Sequence, residues 1–258
     1  MWVRAVDGGH TVPVTIPASE RPPASDRSPA PDGAATTDDL PGPRYRTVLF
    51  DLDGTLADTI PLIVASYQHA FRTVLAQEVE EARARSWIGR PLLPALLEEA
   101  PEHGHELDRV YRTWNLENTG RLIQRYPGVP EMLDALQRAG VTTAVATSKR
   151  RETARLALEG VGIAGVIDVV AGLEDTTRHK PEPDPLLHAA AELGVDPADC
   201  VYVGDATVDV LAARAAGMAS VAVTWGAGER AALVATGPDA VVDSVPALTS
   251  YLLGGPRT

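Results

Sequence analysis

Asp51 and Asp53 stand one residue apart at the end of an apolar run, in VLFDLDGTLADT (residues 48–59). In an extended backbone, residues i and i+2 face the same side. Both carboxylates therefore lean into one small volume. Three other pieces of the chain carry groups that could join them: Thr147 and Ser148 closing VTTAVAT, Lys180 in RHKPEPDP, and Asp205 with Asp209 in VYVGDATVD. Each has a plainer job when taken singly. Asp and Gly favour turns, Thr caps helices, a lysine before proline is a common surface residue, and an acid suits a helix N-terminus. Together they fall at the ends of four successive strand-like runs, where they would converge.

Four carboxylates and one lysine carry a formal charge of −3. Two like charges 4 Å apart repel by about 4 kcal/mol at an effective dielectric near 20. Such a cluster calls for a cation, a raised pKa, or both. A donor set of oxygens without His or Cys selects a hard ion such as Mg²⁺. With that ion in place, hydroxyls and Lys180 can hold a phosphate dianion. Asp51 can then attack phosphorus as a nucleophile, forming an aspartyl-phosphate. Asp53 can protonate the leaving oxygen and later take a proton from water.

The elements that must position these groups are legible as an alternation. Apolar runs RTVLFDL, VTTAVAT, VIDVVAG, CVYVGD, ASVAVTW and DAVVD read as strands. PEMLDALQRAG, KRRETARLALEG, DPLLHAAAELG, TVDVLAARAAG and VPALTSYLL read as helices, several closing on Gly140, Gly160, Gly194 or Gly217. Strands alternating with amphipathic helices predict an α/β fold: a Rossmann-like three-layer core with a parallel sheet, its ligands at the carboxyl ends of the strands. Residues 59–126 break the rhythm, reading as helix after helix with no strand. They predict a small all-helical cap domain inserted after the first strand, above Asp51 and Asp53. The core is then 45–58 plus 127–258, with the connections at 57–61 and 124–130 as hinges. Residues 1–44 hold 8 of the 21 prolines and no apolar periodicity, which predicts a disordered extension.

Composition narrows the function classes. The chain of 258 residues has 23 Lys plus Arg against 35 Asp plus Glu, a net charge of −12. That balance argues against duplex nucleic acid and against an anionic membrane as partners. A single cysteine, Cys200, excludes an intramolecular disulfide framework and any multi-cysteine metal site. No window holds 18 consecutive apolar residues, and the start lacks a signal-peptide pattern. Cytoplasmic residence and a small-molecule phosphate as partner are the expectations. Nothing chooses between monomer and homodimer.

Some tempting matches fail. GVGIAG (residues 160–165) follows a helix and precedes a strand, the reverse of a dinucleotide-binding loop, and reads as a helix stop and turn. DLDGTLADTIPL places Leu56 and Leu62 where a calcium loop needs Gly and Glu. The six histidines show no metal spacing, and Trp87, Trp114 and Trp225 read as packing residues.

DLDGTLADT, ATSK, the KPEPD around Lys180 and GDATVD resemble, in order, the four motifs of the haloacid dehalogenase-like hydrolases, over residues 46 to 253. The resemblance implies Asp51 as nucleophile and Asp53 as general acid and base. It implies Mg²⁺ held by a carboxylate oxygen of Asp51, the backbone carbonyl of Asp53 and Asp205, with Asp209 acting nearby through water. Thr147, the Ser148 backbone N–H and Lys180 would bind the phosphoryl group. Aspartate at position 53 fits phosphoryl transfer rather than dehalogenation. IGRPL, YPGVPEML and VTWG resemble the phosphoglycolate phosphatase and pyrophosphatase-like branch, which puts Arg90 of the cap at the distal end of the substrate or, as readily, in water at a helix start. The expected activity is Mg²⁺-dependent hydrolysis of small, phosphoglycolate-like phosphate monoesters. The alternatives are a phosphomutase of the β-phosphoglucomutase kind and an inorganic pyrophosphatase on the same site. A signalling phospho-acceptor is a third class, disfavoured because acceptor and acid/base lie two residues apart.

Overall fold

The computed structural model describes residues 42–255. The chain enters through β1 (Thr47–Phe50) and a two-residue strand, β2 (Ala57–Asp58). Four helices follow: α1 (Ile60–Leu75), α2 (Glu81–Ser86), α3 (Leu92–Glu99) and α4 (Gly104–Leu122). The chain returns through β3 (Gln124–Arg125). The remainder alternates: α5 (Val129–Arg138), β4 (Thr142–Ala146), α6 (Arg151–Gly160), β5 (Val169–Ala171), α7 (Asp184–Leu193), β6 (Cys200–Gly204), α8 (Thr207–Ala215), β7 (Ala219–Val223), α9 (Arg230–Ala235), β8 (Ala240–Val242) and α10 (Val245–Leu252).

Six strands form one sheet in the order β5-β4-β1-β6-β7-β8, every pairing parallel. This is the α/β core that the alternation predicts. Strand side chains divide by parity. Val48 and Phe50 of β1 join Val145, Val201 and Val203 in a core covered by α5, α6 and α10. Leu49 points the other way, to Ala144, Ala146, Cys200 and Tyr202, covered by α7 and α8. Because both faces are buried, the strands read as nearly unbroken apolar runs. β1 lies at the centre, between β4 and β6, so its carboxyl end is flanked by two other strand ends.

The helices of 60–122 bury a separate cluster, with Tyr67, Phe71, Trp87, Leu96, Leu107 and Tyr111 at its heart. Tyr67 meets Trp87 and Tyr111 edge-on, with ring centroids 4.9 and 4.8 Å apart. Antiparallel pairing of Ala57 with Arg125 and Asp58 with Gln124 ties the entry and exit of this helical unit together. Among the described residues, no helix is long and apolar enough to cross a membrane.

Several expectations need correction. β3 falls inside 59–126, where no strand is predicted, because a two-residue ribbon has too few positions to show a period. α9 is also unpredicted; it spans six residues. Gly140, Gly194 and Gly217 take the left-handed conformation after their helices, with φ of 74°, 67° and 74°. Gly160 does not: it is the last residue of α6, and Gly162 (φ 75°) makes the turn. The expected disordered extension lies, for residues 1–41, outside the described residues. Arg44 is already anchored: its N–H donates to the Leu252 carbonyl at 2.9 Å and its side chain to the carbonyls of Tyr251 and Gly255 at 3.1 and 2.7 Å. The ordered core therefore begins ahead of residue 45.

Candidate active site

Asp51 follows β1 and keeps the sheet's hydrogen bonding, its N–H donating to the Val203 carbonyl at 2.8 Å. Its side chain is buried at the junction of three strand ends. Lys180 reaches the same point from the loop before α7. The Lys180 ammonium donates to Asp51 Oδ1 at 3.0 Å, Asp209 Oδ1 at 2.6 Å and the Tyr202 hydroxyl at 3.0 Å. Tyr202 in turn donates to the Ala146 carbonyl at 2.6 Å. All three ammonium hydrogens are thus directed. Asp205 follows β6; its Oδ1 accepts from Thr55 Oγ1 at 3.2 Å and its Oδ2 from the Ala227 N–H at 2.6 Å. Asp209, in the first turn of α8, accepts from the Ala206 N–H at 2.9 Å.

Asp51, Asp205 and Asp209 each place a carboxylate oxygen within 4.8 Å of the others, all three buried. Burial pushes Asp51 up to about 6, with Asp209 and Asp53 adding and Lys180 opposing. Burial likewise holds Asp205 well above the usual carboxylate range, reinforced by Asp209 and Asp51. For Lys180, burial works to lower the pKa, but Asp209 and Asp51 outweigh it and hold the group well above its ordinary value. Counted as ionised, three acids and one ammonium leave a formal −2 at this point, and the raised pKa values express that imbalance. The main chain closes on it: a Cβ at Gly54 would lie 2.3 Å from Asp205 Oδ2, and one at Gly226 2.2 Å from the same atom. An all-oxygen donor set with uncompensated negative charge, enclosed by side-chain-free backbone, fits a hard divalent cation.

Asp53 is oriented differently. Its side chain stands outside this trio. Thr59 Oγ1 donates to Asp53 Oδ1 at 2.7 Å, and the Lys149 ammonium to both oxygens, at 2.9 and 3.0 Å. The sequence count of four carboxylates and one lysine leaves out Lys149, so the whole centre carries −2, not −3. Lys149 lies in ATSK after β4, and no spacing rule says that its stem turns back toward β1. Tyr202, Thr55 and Thr59 are also absent from the sequence reading. For Tyr202 a signal exists: it is the one hydroxyl within the fully buried strand CVYVG, and a buried hydroxyl needs a partner.

Above these groups lies a cavity of about 230 Å³. Asp51, Asp53, Thr147, Ser148 and Lys149 form its floor, and the helical unit forms the opposite wall. Lys180, Asp205 and Asp209 do not line it; they sit beneath Asp51. Ser148 Oγ donates to the Gly89 carbonyl at 3.0 Å, joining floor to wall. Gly89 has φ 87°, and a Cβ there would come within 3.0 Å of Ala206 Cβ. Arg90 lies on the wall and pairs with Glu98 Oε2 at 2.6 Å. The expected packing role of the tryptophans fits Trp87, buried among aromatics, and Trp225, whose Nε1 donates to the Thr55 carbonyl at 3.2 Å. Cys200 is buried on β6 with its thiol pushed up by burial, away from the cavity.

Residues 48–223, which include Asp51, Asp53, Thr147, Ser148, Lys180, Asp205 and Asp209, match the family model for haloacid dehalogenase-like hydrolases. The chain belongs to the haloacid dehalogenase-like hydrolases. Within this family it is 35% identical over 202 residues to the pyrophosphatase PpaX of Bacillus velezensis, covering 78% of this chain and 94% of that protein. It is 39% identical over 207 residues to the probable phosphatase IndB of Dickeya dadantii, covering 76% and 89%. The crystal structure of a predicted phosphoglycolate phosphatase from Haemophilus somnus superposes with a TM-score of 0.71 at 26% identity, covering 79% of this chain and 96% of that one. The chain is accordingly a haloacid dehalogenase-like enzyme of the phosphatase kind.

Proposed function

We propose that this hydrolase is a Mg²⁺-dependent phosphatase of small phosphate monoesters that works through an aspartyl-phosphate on Asp51. The observation that carries the reading is the division of labour between two aspartates on one cavity floor. Asp51 is held by Lys180 inside the oxygen cluster, while Asp53 is turned away and held by Thr59 and Lys149. A nucleophile and an acid/base must act on opposite sides of one phosphorus atom, and these two groups share a cavity while answering to different partners.

Asp51 attacks phosphorus, and the bond from phosphorus to the leaving oxygen breaks. Asp53 gives that oxygen a proton, then takes one from the water that attacks the aspartyl-phosphate. Inorganic phosphate leaves and Asp51 is restored. Thr147 and the Ser148 N–H receive the phosphoryl oxygens from the floor. Lys180 acts from below, balancing charge on Asp51 and Asp209. Asp51, Asp205 and Asp209, with the Asp53 carbonyl, would hold Mg²⁺, which supplies positive charge against the phosphoryl oxygens. The wall excludes bulk water and strengthens each of these interactions.

The 35% identity to a pyrophosphatase favours inorganic pyrophosphate as a second substrate for the same groups. The test is phosphate release over time from phosphoglycolate, pyrophosphate and a sugar phosphate, with and without Mg²⁺, beside Asp51→Asn. Sustained release that needs Mg²⁺ and is lost in the variant is expected. A single stoichiometric burst, or release that survives Asp51→Asn, refutes the reading.

A further inference from the structure

Among the polar groups on the cavity wall that take no part in the chemistry above, three lie near one another. Tyr67 comes from α1, Arg90 from the turn before α3, and Arg112 from α4, and all three line the same cavity as Asp51 and Asp53. We propose that Tyr67, Arg90 and Arg112 form an anion subsite, so that the substrates are phosphate esters or anhydrides whose leaving group carries a second negative charge. This rests on the phosphatase reading and deepens it.

Both guanidinium groups are tethered from behind. Arg112 Nε donates to both oxygens of Asp108, at 2.9 and 2.8 Å, and Arg90 Nη2 donates to Glu98 Oε2 at 2.6 Å. Neither Asp108 nor Glu98 lines the cavity, whereas both arginines do. The Asp108 tether orients Arg112, whereas Arg90 is held at one point by the more exposed Glu98; both Nη groups of Arg112, and Nε with Nη1 of Arg90, have no protein acceptor among the described residues. An arginine held by one carboxylate and open on its other edge is preorganised for a second carboxylate or a phosphate.

Tyr67 supplies the third donor. The residue is 3% exposed, and its hydroxyl has no hydrogen-bond partner among the described residues. The atom is not sealed in either, since the one enclosed, unpartnered side-chain atom found there belongs to Asp184. The hydroxyl therefore opens onto the cavity. Burial raises its pKa, and Arg90 and Arg112 are the cations that oppose the rise, so both lie near this phenol. Apart from the reacting aspartates, the carboxylate on the lining is Glu152, accompanied by Arg150. A neutral, apolar leaving group would leave two guanidinium edges and a phenol facing it without acceptors, which is unfavourable.

The test compares phosphoglycolate with ethyl phosphate, which has the same ester and no second charge. For Arg112→Gln, kcat/KM on phosphoglycolate is expected to fall roughly 10- to 100-fold and on ethyl phosphate less than about 3-fold. Arg112→Lys recovers part of the loss. Tyr67→Phe, which keeps the ring packed, gives the same selective loss at roughly 3- to 10-fold. Equal losses on both esters, or no loss on either, overturn the subsite. Calorimetric binding to Asp51→Asn separates this from the phosphatase reading, because it needs no turnover. Phosphoglycolate should bind at least about tenfold tighter than ethyl phosphate, and adding Arg112→Gln should erase the difference. Equal affinities overturn the subsite even where hydrolysis is confirmed, and selective binding supports it even where hydrolysis fails.

Discussion

Replacing Lys180 by Met keeps the buried stem and removes the ammonium that Asp51 and Asp209 share. At 3.0 and 2.6 Å, each lost attraction is worth roughly 5 to 6 kcal/mol at an effective dielectric near 20. Much of that gross figure is returned, because the variant no longer desolvates an ammonium. Removing one partner of a buried pair costs a net of about 3–5 kcal/mol, a large share of the roughly 5–15 kcal/mol that holds a domain folded. The loss has a pH signature. Asp51 in the folded protein already titrates at about 6, above its ordinary value of 3.8. The folded state thus holds that proton more tightly than the unfolded chain, and ionisation weakens folding as pH rises through this window. Without Lys180 the folded value climbs further, so the deficit of the variant grows as pH rises. Urea denaturation of both proteins without divalent cations, at pH 5 and pH 8, measures it. The deficit should reach about 3–5 kcal/mol at pH 8 and be clearly smaller at pH 5. A deficit below about 1 kcal/mol at pH 8, or one equal at both pH values, refutes the charge argument.

Three further outcomes follow from the same geometry. Mg²⁺ at about 10 mM should raise Tm more at pH 8 than at pH 5, because protons compete for Asp51 and Asp205, whose folded pKa values are raised by burial; equal shifts in a thermal melt would count against a cation among these acids. Gly54→Ala forces a Cβ to within 2.3 Å of Asp205 Oδ2 at φ 79°, so calorimetry should show weakened Mg²⁺ binding and melts a loss of roughly 1–3 kcal/mol; unchanged Mg²⁺ affinity would contradict the close approach. Ser148→Ala removes the hydroxyl bond to the Gly89 carbonyl but keeps the backbone N–H, and kcat/KM on small esters should fall roughly 2- to 10-fold with Mg²⁺ affinity untouched; a parallel fall in Mg²⁺ affinity would mean that Ser148 acts on the metal site instead.

The six strands were readable because burial on both faces leaves each as a nearly continuous apolar run. The groups at their ends were readable for a related reason: Asp51, Thr147, Lys180 and Asp205 interrupt or follow such runs with polar atoms. The structure brings Asp51, Lys180, Asp205 and Asp209 into one cluster and sets Asp53 beside it. Lys149 was not readable as a partner of Asp53, because a lysine's direction is a tertiary fact and the two residues are 96 positions apart. Tyr67 and Arg112 were hidden for a different reason. On a helix at ordinary amphipathic spacing, a tyrosine reads as core and an arginine four residues after an aspartate reads as a surface pair. Only the cavity distinguishes them from residues that are no more than that.

The junction at Gly89 bears on how such an enzyme can change substrates over evolutionary time. The wall rests on the floor through a backbone carbonyl and a residue without a side chain. Tyr67, Arg90 and Arg112 take no part in that contact. Mutations at Tyr67, Arg90 or Arg112 can remodel what the cavity selects while the seal that shuts it stays intact. Chemistry and selection sit in separately adjustable parts, so drift toward a new metabolite need not pass through a form that has lost the ability to close.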